Sequence, residues 1–295
     1  MQSYKRIPVR PTTRVIVDND HAGDPDGLVA LAHQLLIEAT EVTAVIGTSI
    51  KTRPDSYVEA GSAQRAADEL LDRLAPAHRP PTYLDASARL QDLDDVPPGA
   101  QAIIDEALRA DDRPLVVTCG GPLTNVAAAL KSEPSIADRM TVAWIGGNGY
   151  PDGGWEYNLS IDVPAAQVVF NDSTVPIWQF PQPTYRQCLW SIAEMEWELT
   201  SAGEFGAWLY ERFTSPPDFV QLQGIWPMGD SPVVMATGLG SESSLLRTID
   251  RPWIADDLAY QVHPGGGQIT LYETVDFRLI IADFVARLRL ADRQR

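Results

Sequence analysis

The chain has 295 residues, 44 % of them apolar, and carries 40 acidic against 23 basic side chains for a formal charge of −17. That balance supports a full core, excludes bulk disorder, and argues against nucleic acid or an anionic membrane as the main partner. Two isolated cysteines, Cys119 and Cys188, exclude a disulfide framework, and without a secretory leader or an apolar run of about 18 residues the protein is expected to be soluble and cytoplasmic.

In chain order, Arg14 to Val17 reads as a buried strand and Gly27 to Glu38 as a helix. Val42 to Gly47 predicts a second strand, Tyr57 to Leu74 a long helix, and Pro76 to Pro81 a breaker-rich loop around His78. A helix over Ala100 to Arg109 precedes a strand over Leu115 to Thr118, and Thr124 to Leu130 returns to helix. The strand Thr141 to Ile145, the helix Pro164 to Phe170 and the strand Val175 to Phe180 follow. Beyond Pro183 the pattern is less regular. Helices are expected near Ala193 to Phe213 and Ser231 to Leu239, then a strand at Gln268 to Tyr272 and an amphipathic helix at Asp276 to Leu290. Short apolar strands alternating with helices indicate a mostly parallel sheet covered on both faces. With no repeat or linker, residues 1–295 are expected to form one open α/β domain.

The densest chemistry directly follows the first strand. Asp18-Asn19-Asp20-His21-Ala22-Gly23-Asp24-Pro25-Asp26 places four carboxylates in nine residues at the carboxyl end of a strand, where open α/β folds build their sites. Asp24 or Asp26 can cap the helix that begins near Gly27. Capping explains one carboxylate; four together repel, and a hard cation is the usual remedy.

Three later segments have similar standing. Thr118-Cys119-Gly120-Gly121-Pro122-Leu123-Thr124-Asn125 is a strand-to-helix turn whose glycines allow close backbone approach and whose carbonyls could ligate a hard cation. A tight turn alone explains it equally well. Gly146-Gly147-Asn148 leads to Glu156-Tyr157-Asn158, an acid and an amide two residues apart. In an extended segment these share a side and could hold vicinal sugar hydroxyls. Met228-Gly229-Asp230-Ser231-Pro232 reads by itself as a helix start with Asp230 as its cap. Among the histidines, His21 lies within the acidic turn, while His33, His78 and His263 read as structural or solvated.

Taken in order, these four segments resemble the nucleoside hydrolase family, the inosine–uridine-preferring N-ribohydrolases, over residues 14 to about 235. That family shows Asp-x-Asp-Pro-Gly-x-Asp-Asp after its first strand, then Gly-Pro-Leu-Thr-Asn. A Gly-Gly strand end with Glu-Phe-Asn and an Asp-Pro follows, and a late His-Asp-Pro. The counterparts here are Asp18-Asn19-Asp20 with Asp24-Pro25-Asp26, Gly121-Pro122-Leu123-Thr124-Asn125, Gly146-Gly147 with Glu156-Tyr157-Asn158 and Asp162, and Gly229-Asp230-Ser231-Pro232.

The resemblance implies a single open α/β domain, a calcium ion at the floor of the pocket, a small nucleoside or related ribosyl substrate, and a homo-oligomer. It implies Asp20, Asp26 and Asp230 as calcium ligands, joined by a backbone carbonyl at Gly120. Asp20 would also serve as the general base toward the attacking water. Asp24, Glu156 and Asn158 would grip the ribose. Thr48 stands where the family often has a pocket asparagine, and Asn148 is the candidate for the asparagine of the glycine-rich loop. Trp226 is the best candidate in the Trp190, Trp197, Trp208 and Trp226 group for a wall against the leaving base.

The departures are specific. The adjacent Asp-Asp pair is replaced by Asp24-Pro25-Asp26-Gly27, and Gly229 stands in the place of the late histidine. Either Asp26-Gly27 fills the place of the pair and one ligand is lost, or Asp24 and Asp26 divide its duties around an inserted proline. The second retains the negative charge. Two other classes fit part of the pattern. A haloacid dehalogenase-type phosphatase also begins with Asp-x-Asp, but Lys5, Lys51 and Lys131 are the only lysines and none is suitably placed. A ribosyl-binding protein with weakened catalysis would fit the missing histidine.

Overall fold

The computed structural model describes residues 7–48, 59, 61–86, 88–216 and 222–294. Its spine is an eight-stranded sheet with the strand order β3-β2-β1-β4-β5-β6-β12-β9. The first three strands are β1 (Thr13–Asn19), β2 (Thr40–Gly47) and β3 (Thr82–Leu84). On the other side of β1 lie β4 (Leu115–Cys119), β5 (Thr141–Ile145), β6 (Ile177–Phe180), β12 (Gln268–Thr274) and β9 (Leu245–Asp250). Every neighbouring pair is parallel except β9 against β12, which closes one edge antiparallel.

Both faces are buried, which the continuous apolar strands require. Successive residues of β1 point to opposite faces. Ile16 joins Ile46, Val117, Val142 and Trp144 in one core layer, covered by α3 (Pro98–Leu108), α4 (Thr124–Ser132) and α6 (Val163–Gln167). Val15 and Val17 join Val42 and Val45 in the other. That layer is covered by α1 (Asp26–Leu36), α2 (Ser62–Leu74), α9 (Gly203–Phe213) and α11 (Phe277–Asp292).

The expected elements are present with shifted ends, and several were not foreseen. The start of the helix expected from Tyr57 falls partly outside the described residues; the helix that is described begins at Ser62. The helix expected over Ala193 to Phe213 is two helices, α8 (Ile192–Thr200) and α9, broken where Gly203 takes φ +84 and packs its backbone against Asp292. The helix expected over Ser231 to Leu239 has one α-turn, α10 (Pro232–Val234), and then a wider turn over Met235–Leu239. The helix expected to reach Phe170 likewise widens over Val168–Asp172. Strands β3 and β9 were missed because one is only three residues long and the other is a largely exposed edge. The small pairs β7 (Leu189–Ser191) with β8 (Ile225–Pro227), and β10 (Trp253–Ile254) with β11 (Tyr260–Gln261), were also missed. The short helices α5 (Tyr157–Ile161) and α7 (Gln182–Tyr185) complete the chain. Among the described residues no helix is long and apolar enough to cross a membrane.

Candidate active site

From β1 the chain turns to β2 and β3 on one side; β4, β5 and β6 are built on the other. The carboxyl ends of β1 and β4 therefore part at a topological switch point and open a crevice there. Asp18 and Cys119 are paired at the ends of these strands, so Asn19, Asp20 and Gly120 lie at the crevice itself. A small cavity of about 10 Å³, room for a single water, is lined in part by Asn19, Gly120 and Asp230.

The acidic turn is organised from the bottom up. Asp18 is fully buried and accepts from Thr48 Oγ1 at 2.5 Å and from Asn125 Nδ2 at 3.2 and 3.3 Å. Asn19 Oδ1 accepts the Asp20 N–H at 2.7 Å, and Asn19 Nδ2 donates to Asp230 Oδ2 at 3.0 Å. A Cβ on residue 120 would come within 2.4 Å of Asn19 Oδ1, so only glycine leaves room for that amide. Asp20 faces the backbone N–H groups of Ala22 and Gly23, while its Oδ1 is buried without a hydrogen-bond partner.

Asp26 is the first residue of α1 and does not cap it. The cap position is Pro25, with no side-chain bond, because Asp26 Oδ2 instead accepts the backbone N–H of Asp230 at 3.0 Å. Asp230 does not cap α10 either, since Ser231 holds that position and the Asp230 carboxylate turns to Asn19. Asp26 and Asp230 thus do not cap for one reason, each being committed across the crevice, whereas Asp24, the other candidate, faces the Asp26 N–H at the start of α1. Asp24 is on the exposed side of the turn and accepts from Trp226 Nε1 at 3.1 Å.

Crowding in a dehydrated place shifts these groups. Loss of hydration pushes Asp18 and Asp20 up to about 6, and the neighbouring Asp24 adds to the shift of Asp20. Asp230 is pushed up to about 7, first by burial and then by Asp24 and Asp20. Asp26 is raised by burial and by the charges of Asp230 and Asp24. His21 is buried, has no hydrogen bond on either ring nitrogen, and is pushed down to about 4, so it is neutral at neutral pH.

Across the crevice, the strand end Ile145-Gly146-Gly147 leads to Glu156. Glu156 is buried and caps α5: Oε2 accepts the N–H groups of Gly147 and Leu159 at 2.8 and 2.9 Å, and Oε1 accepts from Tyr185 Oη at 2.7 Å. Glu156 is extended, but Asn158 is already in the first turn of α5, so the two do not alternate along a strand. Asn158 Nδ2 instead donates to Ile145 O at 2.8 Å. Asn148 is engaged within its own loop, donating to Trp155 O and accepting from Gly149 N–H, each at 2.7 Å.

Trp226 is buried edge-on against Phe213, with its N–H on Asp24. Trp190 and Trp208 are core residues and Trp197 is 70 % exposed. Sequence reasoning missed Tyr185, which belongs to no motif, and Asn19, which lay inside one as a spacer. Asp162, counted among the motif residues, is a structural acid. It accepts from Thr124 Oγ1 at 2.6 Å, Leu90 N–H at 2.8 Å and Ala165 N–H at 3.2 Å.

Among the described residues, no three carboxylate, imidazole or thiolate groups converge on one point as a ready set of metal ligands. The donor chemistry nonetheless fits a hard cation. Asp20, Asp26 and Asp230 are all-oxygen donors in a dehydrated crevice, they repel one another, and Asp20 Oδ1 is buried and unsatisfied. Among the described residues the nearby sulfurs, Cys119 and Cys188, are kept as protonated thiols by burial and by the charges of Asp18, Asp230 and Asp26, and His21 makes no hydrogen bond to the cluster, so the oxygen donors dominate.

Fold and site together define a doubly wound α/β protein with an acid cluster at its switch point. A family model described as inosine-uridine preferring nucleoside hydrolase matches residues 15–240. The chain belongs to that family. An inosine-uridine preferring nucleoside hydrolase of Leishmania major is 38 % identical over 77 residues, 25 % of this chain and 24 % of that protein. One from Crithidia fasciculata is 37 % identical over 81 residues, 26 % of this chain and 24 % of that protein. The matched stretch thus spans about a quarter of the length of these curated relatives. A plant nucleoside hydrolase shares the fold over 95 % of this chain and 99 % of its own, with a TM-score of 0.79 and 18 % identity.

Proposed function

We propose that the protein hydrolyses the N-glycosidic bond of a ribonucleoside or a related ribosyl compound in a calcium-dependent reaction, releasing base and ribose. Family membership over residues 15–240 supports the reaction class. The single observation that carries the chemistry is Asp20, a carboxylate at the switch point whose Oδ1 is buried and unsatisfied beside Asp24 and Asp230. The same reading includes a cytoplasmic location and a homo-oligomer.

Asp20, Asp26 and Asp230, with the Gly120 carbonyl, would hold the cation. When bound, calcium supplies positive charge that acidifies water and offsets the crowded carboxylates. Asp20 accepts the proton of the attacking water, whose oxygen bonds to the anomeric carbon as the carbon–nitrogen bond breaks and its electron pair leaves with the base. The surrounding carboxylates stabilise the positive charge that develops on the sugar. Asp24, Glu156 and Asn158 orient the ribose, with Thr48 and Asn148 as the further substrate-binding positions of this reading. Trp226 holds Asp24 and forms the adjacent wall.

The test is ribose release from a panel of purine and pyrimidine ribonucleosides. Release should vanish after chelation, return with calcium, and be absent in Asp20→Ala. Turnover indifferent to the chelator overturns the metal dependence, and turnover retained in Asp20→Ala overturns the role of Asp20.

A further inference from the structure

Tyr185 is a half-buried residue of α7, which follows β6, and it reaches two parts of the site at once. Its phenol donates to Glu156 Oε1 at 2.7 Å. Its ring lies against the backbone of Gly229: a Cβ there would be 3.4 Å from Tyr185 Cδ2 and 3.6 Å from Asp26 Oδ2. Tyr185 therefore spans from the sugar-side loop to the acidic cluster, across a position that has no side chain.

The hydrogen bonds of Glu156 give this contact its consequence. An ionised carboxylate offers about four acceptor positions, two on each oxygen. The N–H groups of Gly147 and Leu159 hold Oε2, the backbone N–H of Asn158 also faces the carboxylate, and Tyr185 holds Oε1. We propose that Tyr185 is the positioning residue of the sugar half of the pocket, locking the Glu156 carboxylate in one orientation with its Oε1 edge held for a sugar hydroxyl. The inference rests on the ribosyl-hydrolase reading and deepens it. Tyr185 keeps its proton, because burial and the Glu156 charge both raise its pKa, so it remains a donor at every working pH. The donor in turn offsets part of the rise that burial imposes on Glu156, and among the described residues Tyr260 is a further titratable group that feels the Glu156 charge.

The experiment compares the full-length protein with Tyr185→Phe, Glu156→Gln and the double variant. Tyr185→Phe retains the ring and its packing on Gly229 while removing one donor. Two readouts are taken: the titration of the Glu156 carboxyl carbon by NMR, and KM and kcat for ribonucleoside hydrolysis. Losing a donor to a charged acceptor should raise the Glu156 pKa by about one pH unit. KM should rise about tenfold with kcat changed less than about threefold, and Tyr185→Phe should add no further loss in the Glu156→Gln background. An unmoved Glu156 titration with wild-type KM overturns the inference, as does a multiplicative loss in the double variant. A moved titration in a protein that hydrolyses no nucleoside overturns the hydrolase reading and leaves the Tyr185 clamp standing.

Discussion

Asn19 donates its side-chain amide to Asp230 Oδ2 at 3.0 Å across 211 residues of chain, and Asp230 returns its own backbone N–H to Asp26 Oδ2. The first strand, the first helix and the late acidic loop are thus tied at one point. Asn19 supplies the donor that offsets part of the rise that burial and two neighbouring acids impose on Asp230. Asn19→Ala should cost about 1–3 kcal/mol of stability by leaving a buried carboxylate without its donor. It should also weaken calcium binding about tenfold. Gly120→Ala should do the same, because its methyl would sit 2.4 Å from Asn19 Oδ1. Chemical denaturation and calcium titration of both variants check this, and wild-type behaviour in Gly120→Ala would refute the account.

The pH dependence has a definite sign. Asp18 and Asp20 are raised to about 6 and Asp230 to about 7, all above the 3.8 of an unperturbed aspartate. A carboxyl with a raised folded-state pKa binds more protons folded than unfolded, so stability falls as pH rises between the two values. The buried neutral His21 and His33, both pushed down, work in the opposite sense below the ordinary imidazole value of 6.5 but are outweighed by the raised aspartates, so chelated protein should lose stability as pH rises from about 5 to about 7. Calcium should restore it, with an increment that grows over the same window as protons no longer compete for the carboxylates. Melting curves with and without calcium from pH 4 to 8 test this. A calcium increment that shrinks with rising pH would contradict it.

Much of this architecture was legible because strong local signals and tertiary demands agreed. Val15-Ile16-Val17 alternates between two core layers, and a run so apolar on both faces has few alternatives to a central parallel strand. The acidic turn was legible for the opposite reason, since four carboxylates in nine residues have no purely structural explanation. What was not legible depended on distant partners. Asp26 and Asp230 have the sequence signature of helix caps, yet each is committed across the crevice by a contact 204 or 211 residues away. Tyr185 carries no motif because its role comes from meeting Glu156 and Gly229 in space. Trp226 could be guessed as a site residue, but the direction of its N–H could not.

That direction yields a prediction of its own. Trp226 Nε1 donates to Asp24 Oδ1 at 3.1 Å while the ring is buried against Phe213. Trp226→Phe keeps an aromatic ring and loses the donor. If the tryptophan acts through Asp24, KM should rise about tenfold by the same factor for purine and pyrimidine nucleosides, since the defect is in the grip on the sugar. A loss that differs several-fold between the two classes of base would instead assign the ring to the leaving group.

Asp20 and Asp162 should separate chemistry from scaffold, although both are acids in matched motifs. Asp162 is buried with three donors satisfied, from Thr124, Leu90 and Ala165. Asp162→Ala leaves those donors without an acceptor and should destabilise the protein by about 3 kcal/mol or more. The fraction that remains folded should turn over nucleoside within about threefold of wild type. Asp20 is the converse case: its Oδ1 has no partner, and burial and the neighbouring Asp24 disfavour its charge. Asp20→Ala relieves that cost, so the chelated variant should melt at or above the wild-type temperature at pH 7. Its kcat should fall by about 10³-fold, through loss of the base and of one ligand. Melting curves at pH 7 with chelator, paired with single-turnover rates, give both halves of the comparison. A stable, inactive Asp162→Ala together with an unstable, active Asp20→Ala would reverse the two assignments.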